Sequence, residues 1–173
     1  YHDSGNLNIT FIQNSKELAS GTFTARLIAF LATFGIQAEA DERQALTIDG
    51  LKISGSAQSI HKGRILHHAT LLFSTDLYRL TTALKSTERR PERKEMKPAP
   101  FYVKSVRSPV TNICTYTRKA VSIGEFRDAL LNYFTENRTD TRPYSFTEDD
   151  LNAIRSLRDN KYATSAWNFN IRT

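Results

Sequence analysis

Apolar and polar residues alternate over residues 7–13, with Leu7, Ile9 and Phe11 on one side, Asn8 and Thr10 on the other, and Ile12 breaking the rule. A period of two predicts a mostly buried strand. Over residues 16–34 the spacing turns helical: Leu18, Phe23, Leu27, Phe30, Leu31 and Phe34 fall on one face, Ser15 stands at the cap position, and Gly35 closes the helix. Short strands are expected at 36–40 and 46–48, and Asp49-Gly50 predicts a hairpin turn into Leu51-Lys52-Ile53, which puts Lys52 on a strand. Asp76 can cap a helix carrying Leu77, Leu80 and Leu84. Ser122 with Glu125 forms a capping box for a second helix with Ile123, Phe126, Leu130, Leu131 and Phe134 inward. Thr147-Glu148-Asp149-Asp150 opens a third, with Leu151, Ile154 and Leu157 inward.

The chain is organised around residues 51–74. They read as two short apolar strands joined by a basic, glycine-containing connection, with Lys52 set just before a Ser54-Gly55-Ser56 turn. Alternation puts Leu51 and Ile53 on one face and Lys52 with Ser54 on the other. A turn of that kind brings backbone N–H groups close to an anion, and a lysine beside it adds a mobile point charge. The chemistry it suits is handling a phosphate or a carboxylate. Residues 87–100 are charged, hold three prolines and lack periodicity, so a mobile loop is expected over about 85–100. Residues 103–113 read as a packed turn. Strands gathered early, with helices interleaved or later, predict an α+β fold: a mixed β-sheet flanked by helices, within one domain over 1–173.

Composition sharpens this only a little. With 39% hydrophobic and 24% charged residues the chain fits a soluble globular protein. Its net charge of +6 favours acidic partners, although much of the excess sits between Lys85 and Lys97. The aromatics are not interleaved with the basic residues, so no nucleic-acid platform is expected. Cys114 is the single cysteine, which rules out an internal disulfide and makes a reducing, cytoplasmic setting the simpler assumption. No apolar run is long enough for a membrane span.

Lys52-Ile53-Ser54-Gly55-Ser56-Ala57-Gln58, Leu66-His67-His68-Ala69-Thr70-Leu71-Leu72, Ser105-Val106-Arg107-Ser108 and Val110-Thr111-Asn112-Ile113 resemble, in this order, the catalytic domain of the lipoate-protein ligase A family. Tyr1-His2-Asp3, Gly5-Asn6 and Asn8 resemble the end of that family's Gly-rich segment. The resemblance implies the biotin/lipoate ligase fold and a two-step reaction. Lipoate and ATP with Mg²⁺ give lipoyl-adenylate, and the acyl group passes to a lysine of a lipoyl carrier domain of a 2-oxoacid dehydrogenase or of the glycine cleavage H protein. The alternatives are a lipoyl or octanoyl transferase of the same fold, or a catalytically incomplete relative that binds a nucleotide or a carrier. The family's Arg-Arg-x-Ser-Gly-Gly-Gly segment would lie upstream of Tyr1, and its accessory domain beyond Thr173.

Carried over residue by residue, the resemblance makes Lys52 the catalytic group, contacting the carboxylate and the α-phosphate; without it, Lys52 would read as a surface lysine. It implies a cofactor-binding set of His2, Asn6, Lys52, Ser54, Gly55, Ser56, Ala57, His68, Ala69 and Thr70. His67 and His68 lie on a strand and so point to opposite faces, one lining a cleft and the other packing. They are no metal pair, since no further ligand stands at the right spacing. Arg107 could brace its loop or anchor a phosphate. The chain departs from the family at Ala69, where glycine is usual, at Pro109, where arginine is usual, and at Gln44-Ala45, where Asn-Asp is usual.

Overall fold

The alternating stretch forms β1 (Asn6–Asn14), which pairs antiparallel with a later strand over its whole length, Asn6 opposite Leu72 and Asn14 opposite Arg64. The computed structural model describes residues 2–14, 21–86, 108–136 and 141–169. These fall into two compact units, Tyr1–Phe134 and Thr135–Thr173.

In the first unit, β1 is followed by α1 (Thr22–Thr33), then β2 (Glu39–Ala40), β3 (Leu46–Ile48), β4 (Leu51–Lys52), β5 (Ser54–His61) and β6 (Arg64–Leu72). Helix α2 (Leu77–Ser86), a 3₁₀ turn at Ile113–Tyr116 and α3 (Ile123–Thr135) complete it. Two three-stranded sheets result, in the orders β1-β6-β5 and β2-β3-β4, with every strand pair antiparallel. Among the described residues, parallel pairing occurs only at the isolated Lys52–Val110 bridge.

The Asp49-Gly50 turn and the glycine-containing connection between the two central strands both close hairpins. Asp49 and Gly50 take φ of 51° and 76° between β3 and β4, and Lys62 and Gly63 take 46° and 73° between β5 and β6. Positive φ at both central residues is what a two-residue hairpin with the native strand twist requires.

The Ser54-Gly55-Ser56 turn expected from sequence is instead the start of β5, paired residue for residue with Leu71, Thr70 and Ala69. The change of direction occurs one residue earlier. Ile53 N–H donates to Leu46 O at 2.9 Å while Ile53 O accepts from Leu72 N at 2.8 Å, so this residue passes the chain from one sheet to the other. The serines and glycine carry turn chemistry, but the long partner β6 satisfies their backbone groups as a strand.

Helix α1 begins at Thr22 rather than Lys16, because Gly21 sits at φ 85° and cannot continue a right-handed helix. Residues 15–20, including the expected cap Ser15 and Leu18, lie outside the described residues. Phe30, Phe73 and Phe126 form the centre of the core, each no more than 1% exposed, with ring centroids 5.2 Å apart for Phe30–Phe126 and 4.6 Å for Phe73–Phe126. Burying each ring contributes on the order of 2 kcal/mol. The Ser122–Glu125 capping box forms as read, with Ser122 N donating to Glu125 Oε2 at 2.8 Å and Glu125 N to Ser122 Oγ at 3.2 Å. Leu131, expected inward on this helix, is 61% exposed.

In the second unit, Thr147 and Asp150 make the capping box of α4 (Glu148–Leu157), followed by a π turn at Arg158–Tyr162 and α5 (Ser165–Phe169). Here Ile154 and Leu157 are exposed rather than inward, and no residue of α4 is fully buried. The proposed loop over 87–100 lies outside the described residues, as do Ser105, Val106 and Arg107.

Candidate functional site

The sheet β1-β6-β5 has two faces of opposite character, because facing residues in an antiparallel sheet share a side. One face carries Leu7, Ile9 and Phe11, then Leu71, Ala69 and His67, and is covered by the core. The other carries Asn6, Asn8 and Thr10, then Thr70 and His68, then Gly55 and Ala57, and is open.

Lys52 reaches this open face from β4. A β-carbon built on Gly55 would stand 4.0 Å from Lys52 Cε and 3.7 Å from Thr70 Oγ1. The lysine therefore passes over Gly55, whose other neighbour is the Thr70 hydroxyl, and does not share the side of Ser54 as strict alternation predicts. Its backbone is fixed on both sides, by Lys52 N to Pro109 O at 2.8 Å and Thr111 N to Lys52 O at 3.1 Å. A long cationic arm on an anchored strand end is suited to holding an anion over a glycine that leaves room for it. Thr70 Oγ1 also accepts from Gly55 N at 3.3 Å, which ties the row together.

His2 and His68 line the same face. His68 Nδ1 is 2.9 Å from Thr10 Oγ1, and His2 Nε2 is 3.3 Å from Asn8 Nδ2. Asn6 shares their side of β1, and its Oδ1 is buried without a hydrogen-bond partner. An orphaned buried acceptor is what a bound group with donors would satisfy.

Of the sequence-derived set, then, His2, Asn6, Lys52, Gly55, Ala57, His68 and Thr70 gather on one face. Ser54, Ser56 and Ala69 have the opposite parity. Ser54 is 2% exposed opposite Leu71, Ser56 Oγ donates to Gln44 O at 3.1 Å, and Ala69 is fully buried. The methyl that replaces the family's usual glycine at Ala69 therefore enters the core rather than the open face.

His67, on the buried face, stacks on Phe23 at 4.9 Å and pairs its Nδ1 with Gln58 Nε2 at 2.9 Å. Burial first, and the charge of His68 second, push its pKa below the usual imidazole value. It packs as a neutral ring while His68 faces outward, the division expected of adjacent strand residues.

Asn8 and Thr10 are not among the residues the sequence assigns to the site; Asn8 belongs to the resembled Gly-rich segment, and for Thr10 the signal is the polar side of the β1 alternation. The segment bearing His2 is anchored by Asp3, whose carboxylate accepts from Gly5 N at 3.0 Å and from Asp76 N, at the start of α2, at 2.8 Å. Asn112 clamps the same corner, accepting from Thr75 N and donating to Thr75 O, both at 2.9 Å. A hollow of about 220 Å³ bounded by Gly35, Ile36, Gln37, Ile48, Asp49 and Tyr116 holds none of the candidate residues. Among the described residues there is no cluster of His, Cys, Asp or Glu able to hold a metal ion, and no helix long and apolar enough to cross a membrane.

The lipoate-protein ligase LplJ of Bacillus subtilis is 35% identical to 98% of this chain, which spans about half the length of that relative. Among solved structures, a Thermoplasma acidophilum lipoate protein ligase with bound lipoic acid superposes with a TM-score of 0.69 at 28% identity, covering 99% of this chain and 68% of that one. A bi-partite ligase studied with its E2 lipoyl domain, from the same organism, gives 0.68 at 27% identity, covering 100% of this chain and 68% of that one. A lipoate-protein ligase A bound with ATP also gives 0.68 at 27%, over 97% of this chain and 66% of that one. Residues 1–135, which contain the whole open face and Lys52, match the family model of the lipoyl protein ligase A/B catalytic domain, and the chain belongs to that family.

Proposed function

We propose that this protein is an ATP-dependent lipoate-protein ligase, which activates lipoate as lipoyl-adenylate and transfers the lipoyl group to a lysine of a lipoyl carrier domain. The observation that carries the reading is the gradient along the open face. Lys52, Thr70, Asn8 and His2 make one end cationic and polar, and Leu66 and Ile12, paired across β6 and β1 and both solvent-accessible, form an apolar step farther along, before Arg64, Asn14 and His61 end the sheet. Four residues along β6 separate Thr70 from Leu66, about 13 Å at the usual strand rise. Such a face suits an anionic head with a medium-length apolar tail.

Joining a carboxylate to the α-phosphate of ATP brings two anions together and builds further charge in the transition state. The Lys52 ammonium offsets that repulsion, and a fixed charge of this kind contributes on the order of 10²–10³ in rate. Gly55 leaves space for the anion beneath the lysine arm, Thr70 offers a hydroxyl, and Asn6 offers the unpaired Oδ1 to donors of the nucleotide. Mg²⁺ belongs to this reading as the companion of the ATP phosphates. The net charge of +6 suits an acidic carrier domain.

The test is pyrophosphate release by the full-length protein, which the reading requires to depend on both lipoate and ATP and to be followed by acylation of a purified lipoyl domain. Acylation without ATP from an existing lipoyl carrier marks a transferase, and adenylate binding with neither activity marks a non-catalytic relative. Either result overturns the proposal.

A further inference from the structure

Transfer from an adenylate to a lysine needs something the activation step does not: a place for the proton of the attacking amine. Lys52, itself a cation, cannot take it. Two imidazoles share the open face, and their hydrogen bonds set them apart. His2 Nε2 accepts from Asn8 Nδ2 at 3.3 Å, so its lone pair is used and Nδ1 carries the hydrogen. His68 is held at its other nitrogen, Nδ1, by Thr10 Oγ1 at 2.9 Å, and Nε2 has no partner among the described residues. Thr10 Oγ1 can either accept from or donate to Nδ1, and in the tautomer in which Nδ1–H donates to it the lone pair lies on Nε2. The ring is partly exposed, so a partner's side chain can reach it, whereas His67 is sealed on the far face. His68 precedes Thr70 by two residues on the same side of β6, about 7 Å along the strand, next to the row where Lys52 crosses Gly55.

We propose that His68 Nε2 is the proton acceptor of the transfer step and that Thr10 positions it. The inference rests on the ligase reading. The neutral lysine amine of the carrier attacks the acyl carbon of the adenylate and forms the C–N bond. The bond from that carbon to the phosphate oxygen breaks, AMP leaves with its electron pair, and the amine's proton passes to Nε2. His68 releases it to solvent before the next cycle. His68 is then a catalytic residue and Thr10 a positioning residue.

The full-length protein, given preformed lipoyl-adenylate, is assayed for acyl transfer to a lipoyl domain and to hydroxylamine, a small nucleophile that enters with solvent and can give its proton to water. Pyrophosphate release from lipoate and ATP is followed in parallel. His68→Gln is expected to slow transfer to the lipoyl domain on the order of 10²-fold or more, a loss at least tenfold greater than any in hydroxylamine transfer or pyrophosphate release. Thr10→Val is expected to lose part of the same step, and Thr10→Ser to recover it. Unchanged carrier transfer in His68→Gln, or an equal loss with hydroxylamine or in pyrophosphate release, overturns the inference. Absence of pyrophosphate release in the wild type overturns the ligase reading instead, and supplied adenylate still shows whether carrier transfer depends on His68.

Discussion

The Lys52 side chain crosses the Gly55 position, with its Cε 4.0 Å from where a β-carbon on that glycine would stand and Thr70 Oγ1 3.7 Å from the same point. Hydrogen at Gly55 thus keeps a gap open between an ammonium arm and a hydroxyl. Gly55→Ala places one methyl at ordinary contact distance, and its melting temperature should stay near that of the wild type. Gly55→Val suits a strand equally well but fills the gap and displaces the lysine, and pyrophosphate release should fall on the order of 10²-fold. A valine variant that melts normally and releases pyrophosphate at the wild-type rate would show that Lys52 does not act over this glycine.

Lys52 holds its place in the fold through its main chain, bonded to Pro109 and Thr111. Lys52→Ala should therefore leave the melting temperature nearly unchanged while lowering lipoate- and ATP-dependent pyrophosphate release by about 10²–10³. Lys52→Arg keeps the charge but spreads it over a planar fork of different reach, and should fail nearly as badly. Wild-type kinetics in the arginine variant would mean that only net charge is needed there.

Gly5 packs against the backbone at the start of α2, where an added β-carbon would lie 2.2 Å from Ser74 O and 2.6 Å from Thr75 N. Neither is a flexible side chain that can move aside. Gly5→Ala should cost about 1–3 kcal/mol, typical of overpacking, and lower the melting temperature by several degrees. Because His2 and Asn6 flank this contact, adenylate binding measured by calorimetry should weaken as well. A thermal melt matching the wild type would contradict the close approach.

His67 sets an acid limit on stability. Its pKa is lowered in the folded state, so the native protein binds a proton less readily than the unfolded chain. Its contribution is complete above about pH 6.5 and is lost as the pH falls below that value. His67→Phe keeps a ring against Phe23 but removes the titration. The drop in melting temperature between about pH 7.5 and about pH 5 should be smaller in this variant than in the wild type. An identical drop in both proteins would show that His67 does not titrate in that range.

Much of the local structure could be read directly along the chain. The Asp49-Gly50 turn, the Ser122–Glu125 capping box, the helix opened at Thr147, the strand at Leu46–Ile48 and the opposed directions of His67 and His68 depend on residues within a few positions of one another, and all are present. Lys52 was legible as a strand residue, and its family motif singled it out among the lysines. The side it shares was not legible. Alternation was counted from Lys52 straight through to Ser54, yet Ile53 changes sheets between them and the phase starts again. Leu131, Ile154 and Leu157 failed for a related reason: helical spacing marks an apolar stripe but does not say which part of it another element covers.

The sequence by itself determined most of the segments that extend and coil and the Asp49-Gly50 turn, because those preferences come from each residue's own backbone and its immediate neighbours. The tertiary structure decided what meets what. Thr10 and His68 are 58 positions apart and Asn112 and Thr75 are 37 apart, and only strand register and loop packing bring each pair within hydrogen-bond reach. Lys52 over Gly55 belongs to the same class. A strand's parity follows from the partner it pairs with, and that partner is chosen by the whole buried face rather than by the residues on either side.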